Sequence, residues 1–226
     1  MSDGFTMSMA VRAPVERVWR ALRDPAEIRR WHGWNEPGLD AEIQTIFVDH
    51  ANESHDEPYT LVVDPMETFL LEPHDDETTL HLVRVPREQA GEWADHYDDI
   101  TLGWVSFLHQ LRFALESHPG EERRTLFWQG AGEPGADLMA AAAVPAPPLG
   151  RWVTETPDGL CVDALVLGGL GSGLLVLASK RAESGGPSCQ ATLTTYGLDD
   201  DRWAEVRAEW TGWFRLAYPD AADPVE

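Results

Sequence analysis

The polar residues best placed to do chemistry are His81, Arg84, Tyr97 and His109, which fall on an alternating strand pattern and on a long amphipathic helix. A histidine or tyrosine beside a bound molecule can move protons, and an arginine can steady an enolate or a carboxylate. Alternation sets His81 and Arg84 on opposite faces, so without a bulge only one of them points inward. His109 follows Leu108 and borders the apolar stripe of its helix. No Ser, His and Asp order suggests a triad, and no catalytic residue is assigned.

Two further segments carry reactive side chains. DHANESHDE at 49–57 puts two histidines among several carboxylates, a set that can bind divalent metal, but it lacks HExxH or another fixed ligand spacing. It reads as a solvated acidic loop between strands, and neither metal nor cofactor is expected. GGLGSG at 168–173 lacks the Gly-Lys-Ser/Thr ending of a phosphate loop and precedes no helix, so it reads as a hairpin turn. The ten tryptophans either fill the core or line a pocket for a flat, greasy ligand.

The elements that must position these residues follow from periodicity. In FTMSMAV, Phe5, Met7, Met9 and Val11 share one face of a strand. Val15, Val18, Trp19 and Leu22 then repeat at helical spacing after Pro14, and Asp24 is the N-cap of a second short helix that carries Ile28 and Trp31. AEIQTIFV, YTLVVD, ETFLLE and ETTLHLVRV read as the strands of an antiparallel meander, with Asp64-Pro65 and EPHDDE as turns. A long helix over 91–118 carries Trp93, Tyr97, Ile100, Trp104, Phe107, Leu108, Leu111 and Leu115 along one stripe. That stripe must be buried, and the face of the meander is the surface available.

The remainder repeats the plan. TLFWQG is a strand, ADLMAAAA at 136–143 a helix, RWVTET, LCVDALVL, GLLVLASKR and CQATLTTY are strands, and 200–217 is a closing helix capped by Asp199 and stopped by Pro219. Two domains are expected, 1–120 and 121–226, the second a divergent copy of the first, parted near SHPGEER.

Composition excludes several classes. Seventeen basic residues, of which Lys180 is the one lysine, face thirty-nine acidic ones for a net charge of -22, so the chain has no basic face to displace counterions from nucleic acid. Leu160 to Ala178 is broken by Asp163 and the glycine cluster, so no membrane span is expected. MSDGFTMSMAV shows no secretory pattern, and a cytoplasmic protein with two reduced, buried thiols, Cys161 and Cys189, is expected.

FTMSMAVRAPVERVWRALRDPAEIRRWHGW resembles the opening of START-like domains related to the activator of the heat-shock chaperone ATPase, the Aha-type branch of the SRPBCC superfamily. The residues concerned are Ala13-Pro14, Val18-Trp19, Ala21-Leu22, Asp24-Pro25 and Trp31, and GWVSFLHQLRFAL resembles the family's closing helix. The resemblance covers about residues 5–118 and implies an α+β helix-grip fold, a curved antiparallel sheet around a long carboxy-terminal helix with a cavity between. It fixes no catalytic set. The expected function is non-catalytic binding of a hydrophobic small molecule, lipid-like ligand or partner segment in that cavity, lined by Trp31, Phe69, His81, Tyr97, Trp104, Phe107, Leu108 and Leu111. The alternatives are a polyketide aromatase/cyclase-type enzyme and a chaperone-associated protein.

Overall fold

The computed structural model describes residues 4–56, 58–63, 66–131, 144–156, 159–170, 172–180 and 188–226, apart from the side chains of Lys180 and Ser188. The chain is α+β and divides into two compact units. One comprises 1–33 and 37–120, the other 34–36 and 121–226.

In the first unit the strands β1 (Thr6–Val11), β2 (Ala51–Ser54), β3 (Tyr59–Val63), β4 (Glu67–His74) and β5 (Glu77–Arg84) form an antiparallel sheet of order β1-β5-β4-β3-β2. Register aligns Leu61, Phe69, Leu82 and Met7 across four strands, and all four are buried. The period-2 pattern of the sequence is therefore the inner face of this sheet. Three short helices, α1 (Val15–Arg23), α2 (Pro25–Ile28) and α3 (Leu39–Ile43), lie between β1 and β2. Asp24 caps α2 as expected, its carboxylate accepting from the Ala26 N–H at 2.9 Å.

AEIQTIFV is helical, not a strand: α3 runs into a π-helical turn over Gln44–Asp49. The segment fits both periods, but Leu39, Ile43 and Phe47, spaced by four, are the residues it buries. The strand that takes its place in the sheet is Ala51–Ser54, inside the segment expected to be an acidic loop. There Glu53 takes a 2.6 Å hydrogen bond from the Arg23 Nε of α1.

The long helix α4 spans Tyr97–Ser117 after a 3-10 turn at Gly91–His96, and it lies on the sheet with the Trp104 and Phe69 rings 5.5 Å apart. Trp93, expected on its stripe, falls in the 3-10 turn and is 50% exposed. At the other end Glu116, whose side chain is 3% exposed, accepts from the Arg12 backbone N–H at 3.0 Å and from the Arg12 guanidinium at 2.9 and 3.2 Å. These bonds tie the last turn of α4 to the end of β1.

In the second unit β6 (Arg123–Ala131), β7 (Pro148–Glu155), β8 (Leu160–Leu167), β9 (Gly173–Lys180) and β10 (Ser188–Tyr196) form an antiparallel sheet of order β6-β10-β9-β8-β7. Each sheet thus sets its first strand beside its last and meanders back. Helix α5 (Asp200–Ala217) is capped by Asp199, which accepts from the Arg202 N–H at 2.8 Å. Its Phe214 stacks on Trp128 of β6 at 5.8 Å, and its Trp210 and Trp213 meet edge to face at 5.3 Å. Residues 34–36 belong to this unit because the Trp34 ring stacks on Phe127 and Asn35 donates to Thr125 Oγ1 and to the Arg123 carbonyl. In the glycine-rich segment between β8 and β9, Gly169 and Ser172 stand at positive φ, and Gly171 lies outside the described residues. The expected helix at 136–143 and the Asp64-Pro65 turn lie outside the described residues.

Cys189 is buried, which pushes its thiol up to about 11, whereas Cys161 is half-buried rather than buried. Both pair with Ser179 from opposite sides, two strand spacings or roughly 10 Å apart, too far for a disulfide. Among the described residues no helix is long and apolar enough to cross a membrane.

Gly130 faces Tyr218 so closely that a Cβ there would lie 2.4 Å from the ring. Gly130→Ala should therefore displace Tyr218 and lower stability by about 1–3 kcal/mol, read as an earlier denaturant midpoint. An unchanged midpoint would show that the carboxy-terminal end of α5 does not pack on β6 as described.

Candidate functional site

The segment after α2 carries Trp31, whose indole Nε1 donates to the Ala21 carbonyl at 2.8 Å. That bond fixes the turn in which His32 follows. Buried at 1% exposure, the His32 ring is enclosed by four aromatic rings: Phe107 at 4.9 Å, Phe47 at 5.0 Å, and Trp31 and Trp104 at 5.6 Å. Its Nε2 donates to Glu42 Oε1 of α3 at 3.0 Å. The Glu42 side chain is 40% exposed, and the pair therefore joins an aromatic interior to solvent. Accepting from His32 holds the Glu42 carboxyl below its ordinary value of 4.5, against the opposing effect of partial burial. A histidine held by a carboxylate in apolar surroundings can accept or deliver a proton.

One turn earlier on α4 lies a second buried polar group. Arg84 ends β5 on the same face as Leu80 and Leu82, and its guanidinium is fully enclosed. Nε donates to Glu67 Oε1 of β4 at 2.8 Å, and Nη1 donates to the Tyr97 carbonyl at 3.0 Å and to the Thr101 hydroxyl. The guanidinium carbon stands 4.2 Å from the Tyr97 ring centroid, a cation–π contact.

Of the eight residues expected to line a cavity, Trp31, Phe69, Trp104 and Phe107 come together, and Leu108 and Leu111 are fully buried on α4. Tyr97 is buried at the Arg84 end, where its hydroxyl donates to the Val85 carbonyl at 2.8 Å. His81 does not join them. Leu80 and Leu82 take the inner face of β5, so His81 stands on the other face, with Ser8 Oγ 2.7 Å from its Nδ1 and Glu72 3.5 Å from its Nε2. Arg84 and Thr78 are the inward polar residues of that strand, and Arg84 is the charged one. His109, weighed as a proton carrier, is buried on α4.

The expected hollow also differs in its filling. Trp104 contacts Phe69, Phe47, Phe107 and His32 at centroid separations of 5.5 to 6.5 Å, so these rings pack on one another. The sequence reading missed His32, Glu42 and Glu67. His32 stands four residues after Ile28 and beside Trp31, a placement that marks it as inward, but nothing in the spacing links it to Glu42.

No family model matches the chain, and no curated protein matches it. Among solved structures it is similar to DynU16, a protein of the dynemicin biosynthetic locus, at 17% identity and TM-score 0.33, covering 97% of this chain and 99% of that one. It is also similar to the di-domain ARO/CYC BexL from the BE-7585A biosynthetic pathway, at 17% identity and TM-score 0.34 over 96% and 93% of the two chains. A third, CV1439 from Chromobacterium violaceum, is 20% identical with TM-score 0.31 over 51% of this chain and 99% of its own. Identities this low and superpositions this loose leave the function to be argued from the residues above.

Because the folded-state pKa of Glu42 is lowered, its carboxylate stabilises the fold above the ordinary carboxyl range, and that contribution fades as pH falls through the lowered value. Glu42→Gln should thus be less stable than the parent at pH 7, by at most about 1 kcal/mol for so exposed a group. The two midpoints should converge in acid. Denaturant midpoints differing by the same amount from pH 7 to pH 3 would show that the His32 bond does not favour the ionised form.

Proposed function

We propose that the first unit is a helix-grip domain that binds a flat, apolar, ring-containing molecule between α4 and the turn at His32. The observation that carries this reading is the enclosure of a carboxylate-bonded histidine by four aromatic rings. Aromatic walls supply area for a ring ligand, and one convergent polar group orients it. A histidine is also a poor choice for a core that needs only to be filled, since its ring nitrogens demand partners that phenylalanine does not. Glu42 and Phe107 are the partly exposed members, and they mark the side from which a ligand would enter. The packed rings must part to admit it, which couples binding to tryptophan emission.

The His32–Glu42 pair favours a second reading, proton transfer on a bound ring substrate. Under it, His32→Gln abolishes turnover while ligand-induced stabilisation persists.

2-Naphthol at about a hundred times its Kd should add about 2.7 kcal/mol of stability, raise Tm by several degrees and quench tryptophan emission. Trp104→Ala should remove most of both responses, whereas Trp93→Phe, a change at a half-exposed ring of the 3-10 turn, should keep them. Failure of naphthols, anthraquinones and related flat compounds to shift Tm at all would sink the reading.

A further inference from the structure

We infer that Arg84 is the second polar contact for the molecule bound beside Trp104, donating a hydrogen bond from Nη2 to a neutral carbonyl oxygen. This names the ligand class, an aromatic ketone or quinone, and rests on the binding reading above. Arg84 has five N–H donors, and its Nε and Nη1 are taken by Glu67, the Tyr97 carbonyl and Thr101. Its Nη2 is buried with no hydrogen-bond partner. A guanidinium donor left without an acceptor in the interior is costly, and a sheet that needed only packing at this position would take leucine, as it does at Leu80 and Leu82.

Placement carries the argument further. Thr101, which Arg84 touches, is one turn before Trp104 on α4, and Trp104 touches both Phe69 on the sheet and His32. Arg84 therefore bonds α4 one turn before the tryptophan whose ring meets His32. A flat molecule lying along α4 from His32 toward Thr101 would meet Arg84 as its second polar group.

The charge already present selects the acceptor. Glu67 is buried and neutralises Arg84 at 2.8 Å. A carboxylate brought to Nη2 would add an uncompensated negative charge in the interior, close to Glu67, whereas a carbonyl oxygen accepts the same bond without one. A hydrocarbon of the same shape leaves Nη2 as it is.

The test compares 2-acetylnaphthalene, 2-ethylnaphthalene and 2-naphthoate by tryptophan quenching of the whole protein. The ketone should bind about tenfold more tightly than the hydrocarbon, and the carboxylate no better than the hydrocarbon. In Glu67→Leu/Arg84→Met, which removes both buried charges together, the ratio of ketone to hydrocarbon affinity should fall to about one. Should that variant not fold, the carbonyl stretch of bound 2-acetylnaphthalene in the parent protein decides: a shift to lower wavenumber than in hydrocarbon solvent supports the hydrogen bond. Equal affinity of ketone and hydrocarbon in the parent, or an unshifted carbonyl band, overturns the role of Arg84 while leaving the ring site standing. A ketone preference that survives in the double variant overturns it equally. Absence of binding by all three compounds removes the ring site and this inference together.

Discussion

The buried pair of Arg84 and Glu67 is the interaction on which the first unit turns. It joins neighbouring residues of β4 and β5 to the opening turn of α4 through the Tyr97 carbonyl and the Thr101 hydroxyl. Removing either partner alone leaves an uncompensated interior charge, a loss of roughly 3–5 kcal/mol. At the far end of the helix Glu116 is held by Arg12 and Arg112. Those bonds outweigh the desolvation of Glu116, whose carboxyl is held below the ordinary range. With both ends of α4 fixed to the sheet side, the depth of Trp104 between them is set, and so is the distance from Phe69 to His32.

Much of this frame was legible in the sequence because it rests on period. The stripe from Tyr97 to Leu115 and the alternations Met7-Met9-Val11 and Leu80-Leu82 are repeats that burial enforces. AEIQTIFV reads as a strand because Ile43, Thr45 and Phe47 alternate, but Leu39, Ile43 and Phe47 also fall every fourth residue, and a short segment cannot separate the two periods. His81 invites an inward placement for its chemistry, but its neighbours Leu80 and Leu82 claim the inner face together with Arg84. No spacing rule links His32 to Glu42 across the loop between α2 and α3, and the Arg84–Glu67 pair depends on the register that the β4–β5 turn sets. Tertiary packing, which the residue pattern does not encode locally, brings those groups together.

The two sheets share a strand order, but their cores differ in kind. The core cluster between β6–β10 and α5 is apolar and aromatic, with Trp128, Trp210 and Trp213 all buried. Their indole N–H groups have no hydrogen-bond partner. Burying 150–250 Å² of ring at roughly 25 cal/mol per Å² contributes about 4–6 kcal/mol each, more than the 1–3 kcal/mol an unmet donor costs. Tryptophan is therefore tolerable there for packing alone. No such offset covers Arg84, whose buried guanidinium brings little apolar area, nor His32, whose place phenylalanine could fill. Arg84 and His32, whose burial packing alone does not explain, both lie in the first unit and beside its aromatic rings.

A cluster of rings in mutual contact is compatible with uptake of another ring. Each aromatic pair is worth about 0.5–1.5 kcal/mol beyond its area, and a flat molecule sliding between Trp104 and Phe107 exchanges one such pair for two. The opening cost is then set by displacement of the flanking side chains, and these are not equally held. Trp31 is pinned by its bond to Ala21, and Phe69 by four strands of register, while Phe107 is partly exposed. Phe107 and the half-exposed Glu42 can move with the least loss of burial, so a ligand site proposed here would open on the side where Glu42 links the buried His32 to water.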